Sequence, residues 1–321
     1  MGLLNQALSV FSGRGDTPPG PQLSLALQGG GSYGAFTWGV LDRLLEEAEL
    51  GFDAISGASA GAVNATLMAA GLAEGGRDGA RAKLEKFWKQ MSSASSFLPL
   101  TAIPTGLEVL AQAFSPYQFN PFDLNPLKRA LEREIDFDRL RAASTPRLLI
   151  ATTRVSDGML RIFRNEELTV DTILASACLP LIHRTIEIDG EGYWDGGYSA
   201  NPPLVQLVHE SDALDVLVVQ VTPARTQSAP TSRSEIVKRL EHISFNATLN
   251  AELEALRLAA SLRATPKLRG LRVDRLAAED EIADLASRSA ADLDWRFLCR
   301  LRDAGRSAAE SWLAERAKAA A

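Results

Sequence analysis

The chain is short of several residue types, and each shortage removes a class of function. Two cysteines, Cys178 and Cys299, stand among 321 residues. That is too few for a disulfide framework or a structural zinc site, and both read as apolar packing residues. Only His183, His209 and His242 are present, so every histidine candidate for a catalytic base can be weighed in turn. No apolar run approaches the ~18 residues of a transmembrane helix. The first residues lack the basic start and longer apolar core of a signal peptide. Gln6 stands where a myristoylation signal needs Ser or Thr. The expected location is the cytoplasm, with the short amphipathic stretch 3–11 able to touch a lipid surface. An excess of positive charge is missing too: a net charge of -6 argues against nucleic acid as a partner.

What is present suffices for a globular fold. Hydrophobic residues make up 46% and charged residues 23%, which fits one large domain or one domain with a helical appendage. Residues 1–22 end in a Gly/Pro-rich run and read as a flexible leader. Residues 23–28 form a short apolar strand, broken by glycines, and a helix begins at Ala35. Residues 52–57 form a second strand, and 62–72 a second apolar helix. Strand, turn and helix thus occur twice in succession, the pattern of a parallel α/β sheet. Residues 73–146 are helical in pattern but broken by prolines. Phe97, Leu98, Phe114, Tyr117, Phe119 and Phe122 suit either packing on the sheet or a cap lining an acyl pocket. Strands resume as a hairpin over 147–155 and 160–164, then at 185–188, 192–194 and 215–221. Residues 223–321 read as a mostly helical extension. The basic stretch 257–275 reads as a solvated face.

Two glycine-marked turns carry candidate chemistry. Gly57-Ala58-Ser59-Ala60-Gly61 lies between a strand and a helix, the setting of a nucleophile elbow. Its glycines admit a strained turn, and the helix start favours negative charge developing at Ser59. Gly29-Gly30-Gly31-Ser32-Tyr33-Gly34 also follows a strand and opens a helix. Backbone N–H groups there can point at an anion, which in a hydrolase is the oxyanion of the tetrahedral intermediate. Gly29, Gly31 and Gly34 also match a dinucleotide-binding fingerprint, with Asp53 near the expected distance. That acid should close its strand, whereas Asp53 opens one, so the dinucleotide reading is set aside.

A serine nucleophile needs a base. His183 follows Leu179-Pro180-Leu181-Ile182, His209 sits at a helix end and His242 in a charged helical run. None lies at a glycine-marked strand end. Asp195 does, between Tyr193-Trp194 and Gly196-Gly197. An Asp-Gly turn is common, so alone this position means little.

Together the three ordered motifs resemble the patatin-like phospholipases, over about residues 23–222. The resemblance implies a three-layer α/β/α sandwich with a mainly parallel central sheet, a helical cap-like insertion at 73–146 and C-terminal helices over 223–321. It implies a lipid acyl hydrolase acting on a lipid or other acyl ester through an acyl-serine, with no metal or cofactor. By the same resemblance Ser59 is the nucleophile, Asp195 its base, and Gly29, Gly30 and Gly31, chiefly the last two, form the oxyanion hole. Gly34, Gly57, Gly61, Gly196 and Gly197 complete the motifs. Two positions depart from the family pattern: Tyr33 stands where Arg or Lys is usual, and Gln28 replaces a frequent acid. An unperturbed Asp is too acidic for an efficient base at neutrality, so burial beside Trp194 and a cap is expected to raise it. Two other readings share these residues. An acyltransferase would use the same acyl-serine, and a non-catalytic lipid-binding scaffold would keep only the fold.

Overall fold

The computed structural model describes residues 21–95, 116–119, 125–143, 146–226, 228–262 and 265–320. Residues 1–20 of the leader and most of the apolar and aromatic residues singled out for the cap, including Phe97, Leu98, Phe114 and Phe122, lie outside them.

Eight strands form one mixed sheet: β1 (Gln22–Leu27), β2 (Gly51–Gly57), β3 (Arg147–Arg154), β4 (Leu160–Phe163), β5 (Ile186–Ile188), β6 (Glu191–Asp195), β7 (Asp215–Gln220) and β8 (Arg272–Ala277). The order is β5-β6-β3-β2-β1-β7-β8, with β4 paired to β3. The β1–β2, β1–β7, β2–β3 and β7–β8 pairs are parallel, and the pairs involving β4, β5 and β6 antiparallel. The central strands are apolar on both faces because both faces are covered. Leu23, Leu25 and Leu27 of β1 and Leu217 and Val219 of β7 enter one core. Ala26, Val216 and Val218 enter the other.

Helices α1 (Gly34–Leu44), α2 (Ala60–Ser95), α3 (Pro116–Phe119), α4 (Pro126–Glu134), α5 (Phe137–Ala142) and α6 (Val170–Ser176) follow in chain order. After them come α7 (Leu204–Glu210), α8 (Arg233–Ser261), α9 (Pro266–Gly270), α10 (Ala278–Glu281) and α11 (Trp295–Ala320). The first core takes residues of α1, α2, α4 and α11; the second takes Leu204, Leu207 and Val208 of α7 with Leu249 and Leu256 of α8. The expected three layers are therefore present, with helices on both sides of a mainly parallel sheet. α2 runs far beyond residue 72, with a non-helical break at Gly75 and Gly76. Ala130, Leu131 and Leu140, within the span expected as a cap, are buried in the first core.

Residues 223–321 are more than a helical extension. They supply β8, which pairs with β7 over its whole length. They also supply Phe297, Leu298, Leu301 and Trp312 to the first core. α11 lies against α1 at backbone distance: a Cβ on Gly305 would stand 2.1 Å from the Phe36 carbonyl oxygen. No side chain fits there, so Gly305→Val is expected to cost about 3 kcal/mol or more through overpacking. Thermal unfolding of the purified variant checks this; an unchanged midpoint would mean the helices can part freely.

Candidate active site

Register brings two distant motifs together. Ile150 of β3 pairs with Gly57 of β2 on one edge and Phe163 of β4 on the other. Thr152 and Thr153 pair with β4 as well, and with Asp195 and Trp194 of β6. A strand has two edges, so β6 must share the edge of β2 and run towards it. Gly57 and Asp195 therefore end their strands head to head, opposite positions of β3 only two residues, or about 7 Å, apart. Ser59 follows Gly57 directly, so the serine turn and the Asp-Gly-Gly turn meet.

Ser59 sits at φ 53°, in the left-handed region. For a residue other than glycine this is strained backbone that surrounding contacts must hold. Its N–H donates to the Ser176 carbonyl oxygen at 3.1 Å and the Ser176 hydroxyl at 3.0 Å. Gly61 lies in the first turn of α2, and the Val63 N–H donates to the Ser59 carbonyl. On the other side stands the glycine loop. A Cβ on Gly29 would come within 2.7 Å of the Ser59 Cβ, so only glycine allows this approach.

Asp195 is fully buried. Its N–H donates to the Cys178 carbonyl at 2.9 Å, and its own carbonyl accepts from the Thr153 hydroxyl at 2.8 Å. Oδ1 accepts the Gly197 N–H at 2.7 Å, within the turn of Gly196 and Gly197. Oδ2 is buried without a hydrogen-bond partner. Burial pushes the carboxyl up to about 7, against the opposing pull of the Ser59 hydroxyl and the Gly197 N–H. The Ser59 hydroxyl thus stands near enough to the carboxyl to favour its charged form.

The glycine loop divides its donors. The Gly29 N–H is already given to Asn201 Oδ1 at 2.7 Å. Among the described residues, no acceptor takes the N–H of Gly30, of Gly31 or of Ala60, the first residue of α2. Gly31 stands at φ +58° and Gly34 opens α1. The two departures from the family pattern tie this loop down. Tyr33 is buried and donates its hydroxyl to the Arg288 carbonyl at 2.7 Å. Gln28 Oε1 accepts the N–H groups of Val221 and Thr222 at 2.9 and 2.8 Å, while Nε2 donates to Asn246 Oδ1 of α8 at 3.0 Å.

The histidines take other roles. His183 Nδ1 accepts the Leu179 N–H, and His209 is exposed in the last turn of α7. His242 is buried in α8, and burial pushes it down to about 4, so it is neutral at pH 7. Asp53 is structural: it accepts from Arg147, from the Ser211 hydroxyl at 2.8 Å and from the Asp212 N–H at 2.6 Å. Sequence reading missed Ser176 and Asn201. Asn201-Pro202 carries a turn signal six residues after Asp195; Ser176, in a helix end, carries none. Among the described residues no cluster of His, Cys, Asp or Glu could hold a metal ion, and no helix is long and apolar enough to cross a membrane.

A strained serine between strand and helix, a buried carboxyl near it and a glycine loop with N–H groups free of acceptors among the described residues thus come together at one end of the sheet. The patatin-like phospholipase family model matches residues 25–208, more than half of the chain. The chain belongs to that family, which at the level of class makes it one of the lipid acyl hydrolases. Solved structures that match include VipD from Legionella pneumophila. It is 15% identical, with 90% of this chain and 68% of that chain aligned and a TM-score of 0.38. No curated protein matches the chain.

Proposed function

We propose that this protein hydrolyses acyl esters of lipids through a Ser59–Asp195 dyad and an acyl-serine intermediate. The observation that carries this reading is Asp195 itself. It is a fully buried carboxyl, raised to about 7, with one oxygen held by Gly197, the other unpartnered, and the Ser59 hydroxyl near the group. A base works best when its pKa lies near the operating pH. Burial supplies that tuning without a histidine.

In the first half-reaction the Ser59 Oγ attacks the ester carbonyl carbon and its proton passes to Asp195 Oδ2. The carbonyl oxygen becomes the oxyanion and is held by the N–H groups of Gly30 and Gly31. The Gly29 N–H, being committed to Asn201, instead fixes the loop. Collapse of the intermediate breaks the carbon–oxygen bond, and the leaving alcohol takes the proton from Asp195. Water then attacks the acyl-serine, gives its proton to Asp195, and the acid is released as Ser59 is reprotonated.

A fluorophosphonate should label the protein covalently at Ser59. The Ser59→Ala variant should show no labelling and no hydrolysis of a short-chain ester. Labelling that persists in Ser59→Ala would remove Ser59 from the mechanism.

A further inference from the structure

The glycine loop is anchored on both sides of Gly30 and Gly31. On the near side the buried Asn201 amide grips Gly29 twice: Oδ1 accepts its N–H at 2.7 Å, and Nδ2 donates to its carbonyl at 3.4 Å. The Thr222 hydroxyl donates to the same carbonyl at 3.0 Å. On the far side three consecutive carbonyls, those of residues 288–290, accept from Ser32 and Tyr33. The Tyr33 hydroxyl donates to Arg288 at 2.7 Å, the Ser32 hydroxyl to Ser289 at 3.3 Å and the Ser32 N–H to Ala290 at 2.7 Å. Ser32 and Tyr33 are both buried.

The segment 288–290 meets the loop through its backbone. The side chains of Ser289 and Ala290 are exposed, while the Ala290 carbonyl oxygen lies 2.3 Å from where a Cβ on Gly31 would stand. The flanks of the segment are fixed elsewhere. Leu285 enters the first core, Lys238 of α8 donates to the Ser287 carbonyl at 2.9 Å, and the Arg288 guanidinium lies over the Phe297 ring at 5.3 Å. A firm support is thus applied to one side of the loop.

Two glycines in succession have the widest choice of backbone angles. An oxyanion donor contributes most when it is already aimed as the charge develops. The aim of Gly30 and Gly31 must therefore come from their neighbours. We propose that Tyr33 and Ser32 are positioning residues for ester hydrolysis: bonded to the carbonyls of residues 288–290, they hold the N–H groups of Gly30 and Gly31 in line with the substrate's carbonyl oxygen. This rests on the proposed function and extends the machinery beyond residues 25–208, which the family model matches. Ser32 and Tyr33 act through the loop, and the segment 288–290 sets its position.

The test compares Ser32→Ala, Tyr33→Phe and the double variant, each in the full chain. The substrates are a short-chain ester and the thionoester with sulfur in place of its carbonyl oxygen. Phenylalanine keeps the buried ring and removes only the hydroxyl. Rates are taken per site titrated to completion with a fluorophosphonate, so unfolded protein does not count. In Tyr33→Phe kcat for the ester should fall about ten-fold with KM nearly unchanged, a part of the roughly hundred-fold or greater loss from deleting an oxyanion donor. Sulfur accepts hydrogen bonds weakly, so the thionoester gains little from aimed donors. Its kcat should fall no more than about two-fold, and the ester-to-thionoester ratio should drop about five-fold. Ser32→Ala, the milder change, should lower the ratio about two-fold, and it decides the question if Tyr33→Phe does not fold. The double variant should exceed either, with the inflection of its pH profile still near 7, since Asp195 keeps its surroundings. A ratio equal to the parent's in the double variant overturns the proposal. Ester and thionoester rates that fall together would make Tyr33 a purely structural residue, and rates that do not fall would make the contacts idle. Failure of the proposed function would show separately, as no ester hydrolysis and no fluorophosphonate labelling of the parent.

Discussion

Asp195→Asn is expected to lower kcat/KM for ester hydrolysis by about three orders of magnitude or more and, at pH 8, to raise the melting temperature. Both effects have one cause. The parent carboxyl moves from 3.8 when exposed to about 7 in the folded protein, because burial disfavours its charge. A group raised in this way binds its proton more tightly folded than unfolded. Folding therefore suffers no penalty from it below about pH 4, loses stability progressively as pH rises towards 7, and carries the full penalty above that. Three units correspond to at most about 4 kcal/mol. The neutral amide never ionises, so the variant escapes the penalty. Its Nδ2 must find an acceptor where Oδ2 stood, which takes back part of the gain. A gain of roughly 3–8 °C at pH 8, lost and slightly reversed by about pH 4 where only the cost of the amide remains, is the expected pattern. The parent's kcat/KM should rise with pH through an inflection near 7, since the base acts deprotonated. A stability difference independent of pH would show that Asp195 is solvated and would take away the tuning argument.

A chain ended after Thr222 should fail to fold cooperatively, although it holds every motif residue and the whole span of the family match. The removed residues include Phe297, Leu298, Leu301 and Trp312, all less than 9% exposed. Burying each contributes about 1.5–3 kcal/mol, together of the order of the entire net stability of a domain. β8 goes as well, baring the edge of β7. So do the Arg288 carbonyl that holds Tyr33 and the Asn246 amide that holds Gln28. The glycine loop over 29–31 would thus lose its supports along with the core. Circular dichroism during heating is the measurement; a sharp unfolding transition in the truncated chain would mean that residues 23–222 fold alone.

The elements near the serine were legible in the chain because their signals are local. The strand over 23–28, the glycine loop and the elbow at Ser59 each write their conformation in neighbouring residues, through runs of apolar side chains and glycines at tight turns. The strand over 215–221 was legible for the same reason. Residues 272–277 were not, since Arg272, Asp274 and Arg275 give β8 the look of a solvated segment. It becomes a strand because β7 offers an open edge, and because Asp215 accepts from Arg272 at 2.6 Å and from Arg316 at 2.6 Å.

Local spacing thus sets which serine lies on a strained turn and which glycines can approach it. Long-range register decides the rest. Nothing near Asp195 in the chain states that β6 shares an edge with β2, yet that placement is what brings its carboxyl to Ser59. Nothing local to Asp195 reveals how completely it is buried, and a carboxyl's affinity for its proton depends on the whole surrounding volume. The strained serine turn could be read from the chain; the proton affinity of the carboxyl beside it is a property of the packed protein.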